Sequence, residues 1–187
     1  MRIETITPAT EQPVTLAEVK DHCVVGGDDD DSLLSLYLAT AAQWAETYLN
    51  QSIMTQTLKV FLDAFPSGPF TLPRGPVQSV SSIKYIKAAT GLENTLAASA
   101  WTLHGSRLSP AFGRSWPQAR ETLDAVRVEY VAGYTAASVV PAVIKQAVLL
   151  RVGQHYFQRE EIQAGMFRPA TVTSERLLDT IRERQVS

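Results

Sequence analysis

The sequence has little cysteine, little net charge and no long apolar run, and each shortage excludes something. Cys23 is the only cysteine among 187 residues. No disulfide can form within the chain, which suits a reducing compartment. Lysine and arginine number 17 against 19 acids, a formal net charge of −2. Charge therefore gives no overall push toward nucleic acid. No apolar run approaches the roughly 20 residues of a membrane-spanning helix. The opening MRIETITPATEQP lacks the apolar centre of a signal peptide. The expectation is a protein made and kept in the cytoplasm, without membrane contact.

Catalytic signatures are missing as well. There is no Gly-x-Ser-x-Gly elbow, no phosphate-binding P-loop and no Gly-x-Gly-x-x-Gly fingerprint. What is present is a globular composition, 45% apolar and 19% charged. The length suits one domain with a real core. Charge is spread unevenly. Residues 1–50 carry nine acids and two bases, a net of −7. Residues 51–137 carry five acids and eight bases, and residues 138–187 five acids and seven bases, nets of +3 and +2. Such polarity suits head-to-tail packing of identical subunits.

Along the chain, residues 1–13 read as an extended, solvated arm, because Pro8 and Pro13 discourage helix. Thr15 and Glu18 have the spacing of a capping box. Leu16, Val19 and Cys23 then give a one-sided apolar stripe that Gly26 and Gly27 end. After Asp28–Asp31, helical spacing recurs through Leu33, Leu36, Tyr37, Ala41, Trp44, Ala45, Tyr48 and Leu49, with Asn50 as the stop. Alternation predicts strands over 55–65, 77–87 and 125–130, with Thr90-Gly91 as a hairpin turn. Short strands are expected at 70–73, 92–96 and 101–104, and a long loop at 105–120. Pro141 starts an apolar helix running to Phe157. Residues 175–184 have the pattern of a short amphipathic helix, too short to be stable alone. It is expected to order only against a partner and to be dispensable for the fold.

Four features invite a chemical reading. Asp28–Asp31 would need to converge to hold a metal, but successive residues at a helix start fan outward. They read as N-cap and dipole compensation. His22 and Cys23 diverge by about 100 degrees on a helix, so they cannot share one zinc without further ligands. Cys23 reads as buried and structural. His155 with Glu160 and Glu161 has spacings that leave the acids off the histidine's helical face, so a solvated helix end is expected. The loop Gly113-Arg114-Ser115-Trp116 could touch phosphate or a partner subunit, or Trp116 could simply anchor it to the core. No catalytic residue, metal or cofactor is expected.

The order of the segments carries more than any single motif. PVTLAEVKDHC and the acidic turn lead to the helix ending AETYLN. TLPRGPVQSVSSIKYI, RVEYVAGY and VPAVIKQAVLLRVGQHYFQRE follow. Over roughly residues 13–160 this order resembles the head–tail connector (adaptor) family of long-tailed double-stranded-DNA phages and gene transfer agents. The resemblance implies an α+β fold, a small helical bundle with an antiparallel β-rich insertion and a flexible C-terminal tail. The segments would be 14–50 helical, 55–135 β-rich insertion, 139–160 helix and 161–187 tail, within one connector domain spanning 1–187. It also implies a structural, non-enzymatic subunit of the virion neck, in a ring of about twelve copies under the portal protein. DNA would pass through its channel without specific binding, and a stopper or tail-terminator protein would dock below. The resemblance also implies that the C-terminal segment, residues 160–187, binds the portal, and the portal-interface candidates are Arg159, Arg168, Leu177, Leu178, Ile181 and Arg182, arginine being favoured at protein interfaces. The alternative implied by the same order is a stopper or tail-terminator protein of the neck.

Overall fold

The computed structural model describes residues 1–158 and 171–182. It is an α+β protein, in which a first strand and two helices precede a run of antiparallel strands and two further helices follow it. The chain divides into two compact units. One comprises residues 11–53 and 135–187, the other residues 1–10 and 54–134.

The first unit is helical. α1 (Leu16–Cys23) begins at the expected capping box, with Thr15 Oγ1 accepting from Glu18 N–H and Glu18 accepting from Thr15 N–H. It ends at Val24, whose φ of 55° places the left-handed residue earlier than the expected Gly26. α2 (Asp31–Leu49) stops at Asn50, φ 52°. α3 (Ala142–Phe157) follows Pro141, and α4 (Thr171–Asp179) follows in turn. α2 packs on α3, α1 lies against both, and α4 packs on α3 and α2.

Two expectations need correcting here. The face that α2 buries is Leu34, Leu38, Ala41, Ala45 and Leu49, while Leu36 is 61% exposed. Residues 32–45 contain no charged side chain, so the sequence left more than one plausible apolar face. The helix presents the stripe where Ala41 and Ala45 permit close approach. The C-terminal helix is also not a tail waiting for a partner. Leu178 is fully buried and Ser174 nearly so, which orders α4 against its own bundle. The remainder of the expected tail, 161–170 and 183–187, lies outside the described residues.

The second unit is β-rich. β1 (Arg2–Thr7), β2 (Gln56–Leu62), β4 (Val77–Ile86), β5 (Glu93–Thr95) and β8 (Val126–Ala132) form a five-stranded antiparallel sheet in the order β1-β2-β8-β4-β5. β3 (Phe70–Thr71), β6 (Trp101–His104) and β7 (Arg107–Pro110) form a second sheet in the order β3-β7-β6. The alternation of β2 and β8 sends Leu58, Val60, Val126, Val128, Tyr130 and Ala132 to one face, where Ile83, Leu72 and Leu108 complete a closed core. The Tyr130 hydroxyl donates to Pro73 O at 2.7 Å. Its one polar atom is thereby satisfied inside that core, and burial pushes the phenol pKa up.

Two further expectations differ. The N-terminal arm is strand β1, registered from Arg2↔Phe61 to Thr7↔Thr57. The loop expected over 105–120 contains β7, folded back on β6 through His104↔Arg107.

The unit closes on itself at Met54 and Tyr134, which bridge, beside Gly133 at φ 101°. A Cβ on Gly133 would collide with the backbone carbonyl of Met54. Gly113, at φ 72°, has open space around the same position. Gly113→Ala is therefore expected to cost about 1 kcal/mol, the backbone contribution alone. Gly133→Ala should cost clearly more, because the closure must also shift. Urea unfolding of both variants checks the order, and equal losses would contradict it.

Candidate functional site

The acidic turn is a fastening between helices. Lys20 Nζ of α1 lies 2.8 Å from both Asp28 Oδ1 and Asp31 Oδ1. The lysine ammonium lowers the pKa of Asp28, first through its hydrogen bond and then through its charge. Asp30 makes no side-chain cap. It accepts instead from the Tyr156 hydroxyl of α3 at 2.6 Å. Asp31 supplies the carboxylate that complements the dipole in the first turn of α2. The expected N-cap role thus gives way to ties with α1 and α3. No group of three or more metal-ligating side chains converges among the described residues.

Cys23 is buried, and burial pushes its thiol pKa up, which makes it a poor nucleophile at neutral pH. His22 lies against α3 where Gly153 leaves room for it. His155 is not a solvated helix end. It is half-buried and stacks on Tyr37 of α2 with ring centroids 5.7 Å apart. One turn before it, the Arg151 guanidinium covers Trp44 at 4.5 Å. Tyr48, further along α2, donates to Asp179 at 2.8 Å and lies under Arg182 at 5.0 Å. Tyr37, Trp44 and Tyr48 form a flank of α2 to which α3 and the C-terminal segment are pinned.

The portal-interface candidates separate in this setting. Leu178 is core, Leu177 and Ile181 are half-buried, and Arg182 is exposed over Tyr48. Arg159 and Arg168 lie outside the described residues, as do Glu160 and Glu161.

In the β unit Trp116 is an anchor, as its plain reading has it. Its ring stacks on Phe65 at 5.1 Å and an interplanar angle of 6°, and Nε1 donates to Gly68 O at 2.9 Å. The solvent face of the five-stranded sheet is a charge ladder. Glu4, Lys59, Glu129 and Ser82 share one rung across four strands. Lys59 pairs with Glu129 at 3.0 Å, and Glu93 accepts Arg127 at 2.7 Å with Lys84 at 3.5 Å. The charged side chains lining this shallow depression, which Ser82 also borders, pair with one another.

Two measurements test the fastening. In a double-mutant cycle, Tyr156→Phe and Asp30→Asn should each destabilise the fold. Their combined loss should fall short of the sum by about 0.5–3 kcal/mol, the range for side chains in direct contact. Additive losses would remove the tie. The second concerns His155, whose pKa burial and then the Arg151 charge lower from the ordinary 6.5. The unfolded chain takes up that proton more readily than the folded one. Stability should therefore be full above pH 6.5 and fall as the pH drops through the lowered folded value. Thermal unfolding between pH 7.5 and 5.5 should show a smaller pH dependence for His155→Gln than for the unaltered chain.

Residues 13–99 match the family of phage gp6-like head-tail connector proteins. That match takes in α1, the acidic turn, α2 and the first half of the β unit. The whole chain is also similar to solved structures. A chain in the neck of an empty gene transfer agent (GTA) particle, computed with C6 symmetry, is 25% identical with a TM-score of 0.81. A chain in the virion of the native GTA particle is 26% identical with a TM-score of 0.80. A third, in the neck of the native particle computed with C12 symmetry, is 26% identical with a TM-score of 0.79. Each match covers 100% of this chain and 98% of the other. No curated protein sequence matches the chain. The match over residues 13–99 and the likeness in fold along the whole length make the chain similar to phage gp6-like head–tail connector proteins and to chains of a gene transfer agent neck.

Proposed function

We propose that this chain is the adaptor subunit of a phage-like neck. It assembles as a ring of about twelve copies beneath the portal protein. The ring continues the DNA channel without specific binding and gives the stopper or tail-terminator protein its docking surface. The observation that carries this reading is the full-length likeness to a neck chain in a particle computed with C12 symmetry. Helices hold more of the described residues than strands do, which favours an adaptor over a stopper or terminator built mainly of sheet.

The portal contact is assigned to the C-terminal segment, with half-buried Leu177 on the helix that Leu178 seats, half-buried Ile181 and exposed Arg182 just after it, and Arg159 and Arg168 in the adjoining sequence. Removing 160–187 would take Leu178 from the core as well as the contact, so point changes are the cleaner test. Ile181→Asp with Arg182→Glu should weaken portal binding by at least about tenfold, an interface-residue effect, while circular dichroism stays unchanged. Electron microscopy of portal mixed with the unaltered chain should show an added ring. Variants that decorate portal as well as the unaltered chain would remove the C-terminal assignment. No added layer from the unaltered chain would move its docking point further down the tail.

A further inference from the structure

The turn Ala111–Arg114 presents an exposed aromatic side chain from a loop whose backbone is tied at both ends. Arg114 N–H donates to Ala111 O at 2.9 Å, and Gly113 takes φ 72°. β7 holds the turn on one side. Trp116, stacked on Phe65 and bonded to Gly68, holds it on the other. Between these anchors Phe112 stands in solvent at 106% relative exposure. The loop backbone is tied at both ends, so docking Phe112 would order little further backbone.

Its chemistry selects the class of partner. Duplex DNA offers phosphates and groove edges, and no unpaired base on which a phenyl ring can stack. A protein with an exposed apolar point and an acidic rim fits both Phe112 and the neighbouring Arg114. The chain carries such a surface itself. Val24, in the left-handed position after α1, is 90% exposed. Gly26 and Gly27 leave open space beside it. The Asp28 side chain is 89% exposed even while paired with Lys20, and Asp29 is exposed. The two surfaces belong to units of opposite charge. The β unit has nine bases and six acids, net +3, and the helical unit eight bases and thirteen acids, net −5. A ring contact joins two different faces of identical copies, so one chain must carry both halves.

We infer that the Phe112–Arg114 turn of one copy docks on the Val24–Asp29 corner of the next copy in the ring. This rests on the ring proposed above. Phe112 supplies the desolvated contact, and Arg114 with Asp29 supplies register and selects against wrong pairings.

The test uses the full chain assembled on portal, with ring occupancy counted by electron microscopy. Phe112→Ser and Arg114→Glu, both surface changes, should each lower occupancy by about tenfold or more, as buried anchor positions do. Arg114→Glu combined with Asp29→Arg should recover most of it. Phe112→Ser or Arg114→Glu rings at unaltered occupancy would overturn the inference, as would failure of the charge swap to recover any. Normal rings that retain less duplex DNA than unaltered rings would overturn it in favour of a DNA contact. Absence of rings from the unaltered chain would instead sink the connector reading on which the inference rests.

Discussion

The β unit leaves the helical sequence at residue 54 and returns to it at residue 134, so its two ends have to meet. They meet at Gly133. The chain passes there so close to Met54 that no side chain fits, at a φ that strains any residue with a Cβ. Around that point Thr55 Oγ1 donates to Tyr134 O at 2.9 Å. Gln78 Nε2 donates to Gly133 O at 2.7 Å. Gly133 N–H donates to Pro76 O at 2.8 Å. These bonds fix where β2 and β4 begin and where β8 ends. With those ends set, the registers of β2 and β4 against β8 follow, and the alternation of β8 places Tyr130 and its valines in the core.

The helical unit is held by a different means. Its core side chains are small or aliphatic, and specificity comes from polar ties at the margins. The acidic turn gathers α1 through Lys20 and α3 through Tyr156. At the other end of α2, Glu46 accepts from Ile53 N–H at 2.8 Å and Tyr48 takes hold of Asp179. An apolar interface among short helices tolerates sliding. Charged and hydroxyl partners at both ends of α2 do not, because a shift would strand a partly buried donor or acceptor. The aspartate run therefore serves registry, with Asp28 and Asp31 sharing Lys20 of α1 and Asp30 taking Tyr156 of α3.

What could be read from the sequence was what is local. The Thr15–Glu18 box, the Asn50 stop and the alternation of β2, β4 and β8 are written within a few residues each, and the structure keeps them. What escaped depends on distant partners. β1 is a strand because its residues pair with β2, fifty or more positions away, and prolines nearby argued against it. β7 hides in a stretch rich in Gly, Pro and Ser because its identity comes from β6 and β3. The buried face of α2 was ambiguous because its sequence is apolar on several sides. The docking of α4 was missed because amphipathicity shows that a helix needs a partner but not that the partner lies in the same chain. The candidate site suffered most, since the partners of Asp28, Asp30 and Asp31 come from two other helices.

The distribution of charge bears on how strongly the sheet face would attract a polyanion such as DNA. A chain with basic residues along a passage would hold each phosphate it met, with an affinity that rises steeply as salt falls. The β unit has a net positive charge, yet its sheet face spends many cations internally. Lys59 is taken by Glu129, Arg127 and Lys84 share Glu93, and Arg2 is bound to Asp124 at 2.9 Å while covering Phe61. Each such pair is worth little to stability where it is exposed. Its larger consequence is to cancel a field that would otherwise reach out about a Debye length, roughly 8 Å at physiological salt. A ladder of mutually satisfied charges gives a hydrated surface with weak pull on phosphate and few apolar points for chance association. The exceptions are then informative. Phe112 on the β unit, at 106%, and Val24 on the helical unit, at 90%, are the most exposed large apolar side chains among the described residues, and each is an isolated point rather than part of a broad adhesive face.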